Sequence, residues 1–321
     1  VWPSEAVFVI FYAILALGVG YGITFAASLV AIAQVFPRRV ATVSGIITAA
    51  YALSALLEVP VVNALIAGHS WLDALRIAGA SVVVLAVLAV SLMPHLPVVS
   101  QQTSVGRHTL HLLRQPRFGT VVLITVLVAP LGTYATSEIG IYAQSLQLVA
   151  TSATAAVVVA ATGTVLGRLI GGVLSDHLGA DRVLLVVVAL DALAGIVLWR
   201  ASTAPVFLTA VAVIGLTCGG LVGAVPRLAL DNAPGAFSTA AGLLFAGFSL
   251  GGFIGPLIGT TLGGRTAAWF VLALLTIAGF ATLLLHLVLF ARQKLQLRAS
   301  KLVEQGEHDG ESNWRAVTRK L

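Results

Sequence analysis

Apolar residues run along this chain in long blocks, broken by short polar or Pro/Gly segments, and each block is long enough to cross a bilayer. A helix of about 20 apolar residues spans the hydrocarbon. On that rule the pattern predicts nine spans, near residues 6–35, 41–66, 73–95, 118–146, 152–175, 182–200, 205–229, 237–262 and 267–291. The fold class that follows is an all-α polytopic membrane protein with no soluble domain between its spans. The longest connector, from Pro97 to Pro116, is the only one rich in Gln, Ser, His and Arg. It divides the chain into a first part (1–96, three spans), a loop (97–117), a second part (118–291, six spans) and a charged tail (292–321).

Composition agrees with that reading. Hydrophobic residues make up 59% of the chain, charged residues 9%, and the mean hydropathy is +1.03, whereas a soluble domain carries roughly 25% charged residues. The net charge of +6 would suit a nucleic-acid partner, but the basic residues lie between and after apolar runs rather than on one soluble face. Cytoplasmic loops of membrane proteins collect Lys and Arg. With the tail inside, Arg38, Arg39, Arg107, Arg114, Arg117, Arg182, Arg227 and the basic tail are cytoplasmic. Only Arg76, Arg200 and Arg265 then lie outside, and Arg168 lies within a span. The expectation is a multi-pass protein of the cell (inner or plasma) membrane with a cytoplasmic C-terminus.

The single cysteine, Cys218, leaves no internal disulfide and no cysteine-built metal site. There is no Gly-x4-Gly-Lys-Ser/Thr phosphate loop, and Lys294, Lys301 and Lys320 are all in the tail, so the chain is not its own ATPase. The histidines are scattered and no nucleophile–base pair stands out. No catalytic residue, metal or cofactor is expected.

The most informative stretch is Thr164 to Arg182, TVLGRLIGGVLSDHLGADR. Gly167, Gly171 and Gly172 have the small-residue spacing that lets helix backbones approach closely in lipid. Asp176 is expected just past the last turn of one helix, Gly179 permits the reversal, and Asp181 falls on the first turn of the next, where the macrodipole favours an anion. The pattern Gly172-x-Leu174-Ser175-Asp176-His177-x-Gly179, followed by Arg182, resembles the signature loop of the major facilitator superfamily of transporters. His177 stands where that family usually has Arg. Other segments resemble the same family in order and spacing. They are Gly18-Val19-Gly20-Tyr21-Gly22, then Phe36-Pro37-Arg38-Arg39 and Gly45, then Leu113-Arg114-Gln115-Pro116-Arg117-Phe118, then Gly247, Gly251, Gly252, Gly255-Pro256 and Gly259. The resemblance implies that the nine spans are helices four to twelve of an expected twelve. Residues 1–96 would then be the second part of an N-terminal bundle and 118–291 a C-terminal six-helix bundle. It also implies that Gly172, Asp176, Gly179 and Arg182 help hold one face of a transporter shut.

Charged side chains inside spans are costly and mark pathways or pairs. Arg168 is eight residues before Asp176, about 12 Å along the same helix at ~1.5 Å per residue. Its guanidinium can hold a carboxylate or phosphate by two hydrogen bonds. An arginine at this place in the monocarboxylate and oxalate/formate branches is associated with anionic substrate; pairing with an internal acid is the competing reading. Glu138 lies in the polar interval Thr133-Tyr134-Ala135-Thr136-Ser137-Glu138, after Pro130 and Gly132, which would bend or loosen the helix. It is the first candidate for proton coupling and Glu58, beside Pro60, the second. Asp191 sits mid-span on what the resemblance makes a peripheral helix and reads as a structural partner. Tyr21, Thr24, Tyr134 and Thr217 fall on helices that line the cavity in this fold and are candidate substrate contacts.

The expected function is secondary active transport of a small organic solute, such as an organic anion or monocarboxylate, by alternating access. Its partners would be that solute, the lipid bilayer and a proton as coupling ion. No nucleic acid is expected, and the oligomeric state reads as monomeric. An exporter of drugs or metabolites on the same fold and a non-transporting membrane remnant or scaffold are the alternatives.

Overall fold

The computed structural model describes residues 19–68, 71–92, 105–145, 150–262 and 267–290. The front of the first expected span (6–18), the front of the connector (97–104) and the chain from 291 lie outside the described residues. The helices are α1 (Tyr21–Val35), α2 (Val40–Gly68), α3 (Trp71–Leu92), α4 (Val105–Arg114), α5 (Pro116–Ser145), α6 (Ala150–Leu178), α7 (Ala180–Arg200), α8 (Ala204–Asn232), α9 (Phe237–Thr261) and α10 (Ala267–Phe290), with a short 3-10 turn at Pro234–Ala236. From α5 onward, six helices are long and apolar enough to cross a membrane. The described residues form no strand.

Helix boundaries follow the hydropathy pattern closely, with three informative differences. The connector contains a helix, α4, because Leu112, on the same helix as Arg107, His108 and His111, finds a buried seat in the core beside Phe118. Asp176 lies within the last turn of α6 rather than past it. The backbone stays helical to Leu178 and turns only at Gly179, whose φ of 90° is the left-handed region that glycine enters without a Cβ penalty. Finally, α5 stays helical through Pro130, and Gly255 of α9 packs directly against the Pro130 carbonyl.

Helix α8 is the axis of the bundle. It is apolar on nearly every side, as a helix surrounded by other helices must be, and residues 219–226 are all buried. It packs most closely on α6, then on α7, and also meets α2, α5 and α9. The α6–α8 seam is built from glycine. A Cβ on Gly171 would fall 2.7 Å from the Gly220 Cα, one on Gly223 would fall 2.6 Å from the Arg168 carbonyl oxygen, and one on Gly167 would run into the Leu216 carbonyl. Gly172 turns the other way, against Ala41 of α2, and Gly45 of α2 meets the Arg168 backbone in return. Thus α6 is clasped between α2 and α8, and the pattern of small residues in its sequence serves both contacts. Apolar side chains on the outside, such as Val82 to Leu92 of α3 and Leu285 of α10, are exposed as a lipid-facing surface would be.

Candidate functional site

A cavity of about 490 Å³ lies between α1 and α2 on one side and α6, α8 and α9 on the other. That volume falls in the range of small-molecule sites. Its walls are mainly apolar and aromatic: Phe25, Leu29, Phe245 and Phe248, with Tyr51 across from α9. The Phe25 and Phe245 rings meet edge to face with centroids 4.8 Å apart, joining α1 to α9. Polar atoms are few and come from Thr48, Tyr51, Ser238 and Ser249. Arg168 is the one charged side chain among the described residues that line it.

Arg168 reaches the cavity because Gly45 and Gly223 let α2 and α8 close on the backbone around it. Its Nη1 donates to the Thr48 carbonyl oxygen of α2. The guanidinium lies 5.7 Å from the centroid of the Tyr51 ring, within reach of a cation–π contact. The guanidinium thus touches a backbone carbonyl and an aromatic face on the wall of the cavity.

Eight residues further along α6, Asp176 makes the second contact with α2. Val40 is the first residue of α2 and Arg39 its cap, since the Val43 N–H donates to the Arg39 carbonyl at 3.0 Å. The next amides have no partner within the helix. The Thr42 N–H donates to Asp176 Oδ2 at 2.7 Å, the Thr42 hydroxyl donates to the same oxygen at 2.7 Å, and the Ala41 N–H donates to Oδ1 at 3.4 Å. Asp176 is therefore the N-cap of a helix 134 residues away in the chain. A carboxylate at the C-terminal end of its own helix is disfavoured by the dipole, so its stabilisation here comes from the positive end of α2. Arg227 of α8 adds a guanidinium 3.9 Å from Asp176 Oδ1 and is itself bound to Asp231 at 2.9 Å. Arg182 is exposed on the first turn of α7; the basic group beside Asp176 is Arg227.

The other expected site residues are dispersed. Thr217 is buried on α8, with its hydroxyl on Asp191 Oδ1 at 2.5 Å and on the Ile214 carbonyl at 3.0 Å. Tyr134 is buried against Trp269, with ring centroids 4.7 Å apart, away from the cavity. Thr24 is exposed on α1, its hydroxyl donating to the Gly20 carbonyl at 3.1 Å. Glu138 is half-buried on α5, does not line the cavity, and forms no ion pair among the described residues. The side chains of Tyr21 and Glu58 lie outside the described residues. Sequence reasoning missed Thr42, Thr48, Tyr51, Phe245 and Phe248. Their only local signal was a hydroxyl or aromatic residue in an apolar run.

Ten described helices, six of them long and apolar enough to span a bilayer, a cavity between two groups of helices and a charge-capped contact at one end are the features of a polytopic membrane protein. The sequence model of the Major Facilitator Superfamily matches residues 129–320, more than half of the chain, and the chain belongs to that superfamily. It is accordingly a multi-pass membrane protein of the secondary transporter class, a class that moves small molecules across the bilayer rather than transforming them. No curated protein sequence matches the chain.

Proposed function

We propose that the protein transports a small organic anion, of the monocarboxylate kind, by alternating access about the cavity at Arg168. The observation that carries this reading is that Arg168 is the one charged side chain among the described residues lining an aromatic-walled cavity between two groups of helices. Arginine binds carboxylate through two parallel, charge-assisted hydrogen bonds. The apolar walls then select the organic part of the solute. The chain divides for this purpose into α1–α3 and α5–α10, and the α6–α7 turn faces the cytoplasm, in line with the excess of basic residues at that end. With Asp176 bound to the start of α2, that end is closed.

The test is uptake into proteoliposomes of a panel of labelled monocarboxylates set beside a panel of amphipathic cations. Saturable monocarboxylate exchange is expected. Arg168→Lys keeps the charge but loses the planar fork, and KM should rise about tenfold, equivalent to ~1.4 kcal/mol. Unchanged kinetics in that variant would remove Arg168 from the site. Transport of the cations alone would assign the aromatic walls to an exporter of amphipathic compounds instead.

A further inference from the structure

Two apolar clusters fill the helices from α5 to α10, and a thin polar layer lies between them. One cluster holds Phe118, Leu184 and Leu228; the other holds Leu131, Leu198 and Trp269. Along α7, α8 and α10 the positions between the clusters are Asp191, Thr217 with Cys218, and Thr276. Asp191 is only 2% exposed. Its Oδ1 is 2.5 Å from the Thr217 hydroxyl, and its buried Oδ2 has no hydrogen-bond partner. The Thr276 hydroxyl faces the same carboxyl but is placed to give its proton to the Leu272 carbonyl at 3.2 Å. No ion pair reaches Asp191 among the described residues.

The Thr217 hydroxyl has one proton and two acceptors, Asp191 Oδ1 and the Ile214 carbonyl, and it can rotate between them. With an ionised carboxylate it donates to Asp191. With a neutral carboxylic acid it can turn back to the Ile214 carbonyl and accept the acid proton. The Asp191–Thr217 pair therefore accommodates both protonation states. A structural hydrogen bond would need only one of them, and a carboxylate kept permanently charged in an apolar interior would need a cation.

We propose that Asp191 is a proton-binding site of the transport cycle, held in this polar layer beside the substrate cavity. The two are adjacent. A narrow crevice touches Asp191, Thr217, Cys218, Gly132 and Phe248, and Phe248 also lines the main cavity. No water-sized sphere fits in the crevice, so a proton can be held there whereas a hydrated metal cation cannot. Phe248 is the partition, and movement of α9 relative to α5 joins the two spaces. Loading forms an O–H bond on an Asp191 oxygen with a proton from cavity water, and unloading returns that proton to water. The titratable group lining the same crevice is Cys218 of α8, and Arg168 of α6 also acts electrostatically on Cys218. The crevice is lined from α5 only by Val128, Ala129 and Gly132, and from α9 by Phe248, while α10 brings the Thr276 hydroxyl.

This inference rests on the cavity being the solute path, but its test needs no solute and is read separately from the Arg168 experiment. The protein in lipid bilayers is examined by infrared difference spectroscopy as pH is raised from about 5 to about 9, the interval spanning ordinary and strongly perturbed carboxyls. A carboxylic-acid C=O band should be present at low pH and lost as pH rises. It should be missing at every pH in Asp191→Asn and retained in Glu138→Gln. A band that persists throughout the range, that never forms, or that disappears in Glu138→Gln instead would overturn the proposal. If Asp191→Asn does not fold, Thr217→Val keeps the carboxyl and removes one hydrogen-bonding hydroxyl. Its C=O band should shift in frequency, and an unshifted band would assign the titrating acid elsewhere.

Discussion

On the proposed reading the Asp176 contact sets how firmly the α6–α7 end is closed, and its loss has a calculable effect. Opening that end parts α2 from α6 and breaks the two amide bonds and one hydroxyl bond that Asp176 accepts from Ala41 and Thr42. A side-chain N-cap is worth about 0.5–2 kcal/mol. The charge of the cap at a helix N-terminus adds ~0.3–1 kcal/mol. Arg227 is 3.9 Å away and its side chain is 28% exposed, so it contributes less than a buried pair would, about 0–1 kcal/mol. Asp176→Ala should therefore weaken closure by roughly 1.5–3 kcal/mol and raise the opening constant about ten- to a hundredfold. Asp176→Asn keeps an oxygen that can accept from one amide but loses the charge, so it should shift the constant less, by roughly five- to tenfold.

Spin labels at Arg38→Cys and Leu178→Cys, both at exposed positions beside the contact, read the equilibrium as a distance distribution in a Cys218→Ala background. The short distance should dominate the parent, and the long-distance population should grow in the order Asp176→Asn, then Asp176→Ala. Equal populations in parent and Asp176→Ala would refute the cap as the closing contact. An Asn effect as large as the Ala effect would show that the charge, rather than the hydrogen bonds to α2, holds the end shut.

Two further perturbations test the packing that positions these groups. Gly167→Ala places a methyl against the Leu216 carbonyl of α8, whereas Gly79→Ala adds one in open space on α3. The first should lower stability by about 1–3 kcal/mol and the second should not, as read by thermal unfolding in detergent. Gly179 has open space around its Cα but a backbone at φ 90°. Gly179→Ala should cost about 1–3 kcal/mol through backbone strain alone, and a Gly179→Ala protein as stable as the parent would mean that the turn can re-form in another conformation.

Helix number, order and approximate ends were legible because hydropathy is a local property. So was the use of Gly167, Gly171 and Gly172, since small residues at helical spacing have few other uses in lipid. Partner choice was not legible. Thr217 looked like a solute contact because it lies on a helix expected to line the cavity, yet the rotation of α8 turns it to Asp191, 26 residues away. Asp191 was read as a structural partner, and it does hold Thr217, but nothing in its own stretch revealed which helix would supply that hydroxyl. Arg168 was picked out as a buried cation, but a backbone carbonyl such as that of Thr48 carries no sequence signal at all. The capping role of Asp176 had the same difficulty, since the helix it caps begins more than a hundred residues earlier.

One feature of α6 links the gate to the solute on the proposed reading. Arg168 and Asp176 are on the same helix, and both hold α2: one binds the Thr48 carbonyl and the other the amides of Ala41 and Thr42. The two helices are antiparallel there, so these contacts act as two fasteners about two turns apart along one seam. A carboxylate entering the cavity competes with the Thr48 carbonyl for the guanidinium, and a charged acceptor is the stronger of the two. Binding would then release one fastener while leaving the other. Of the two fasteners Asp176 then remains, and the opening equilibrium becomes sensitive to occupancy because the same arginine serves the seam and the site. A ligand shifts such an equilibrium solely through its difference in affinity for the two states, and here that difference arises from the contact the ligand displaces.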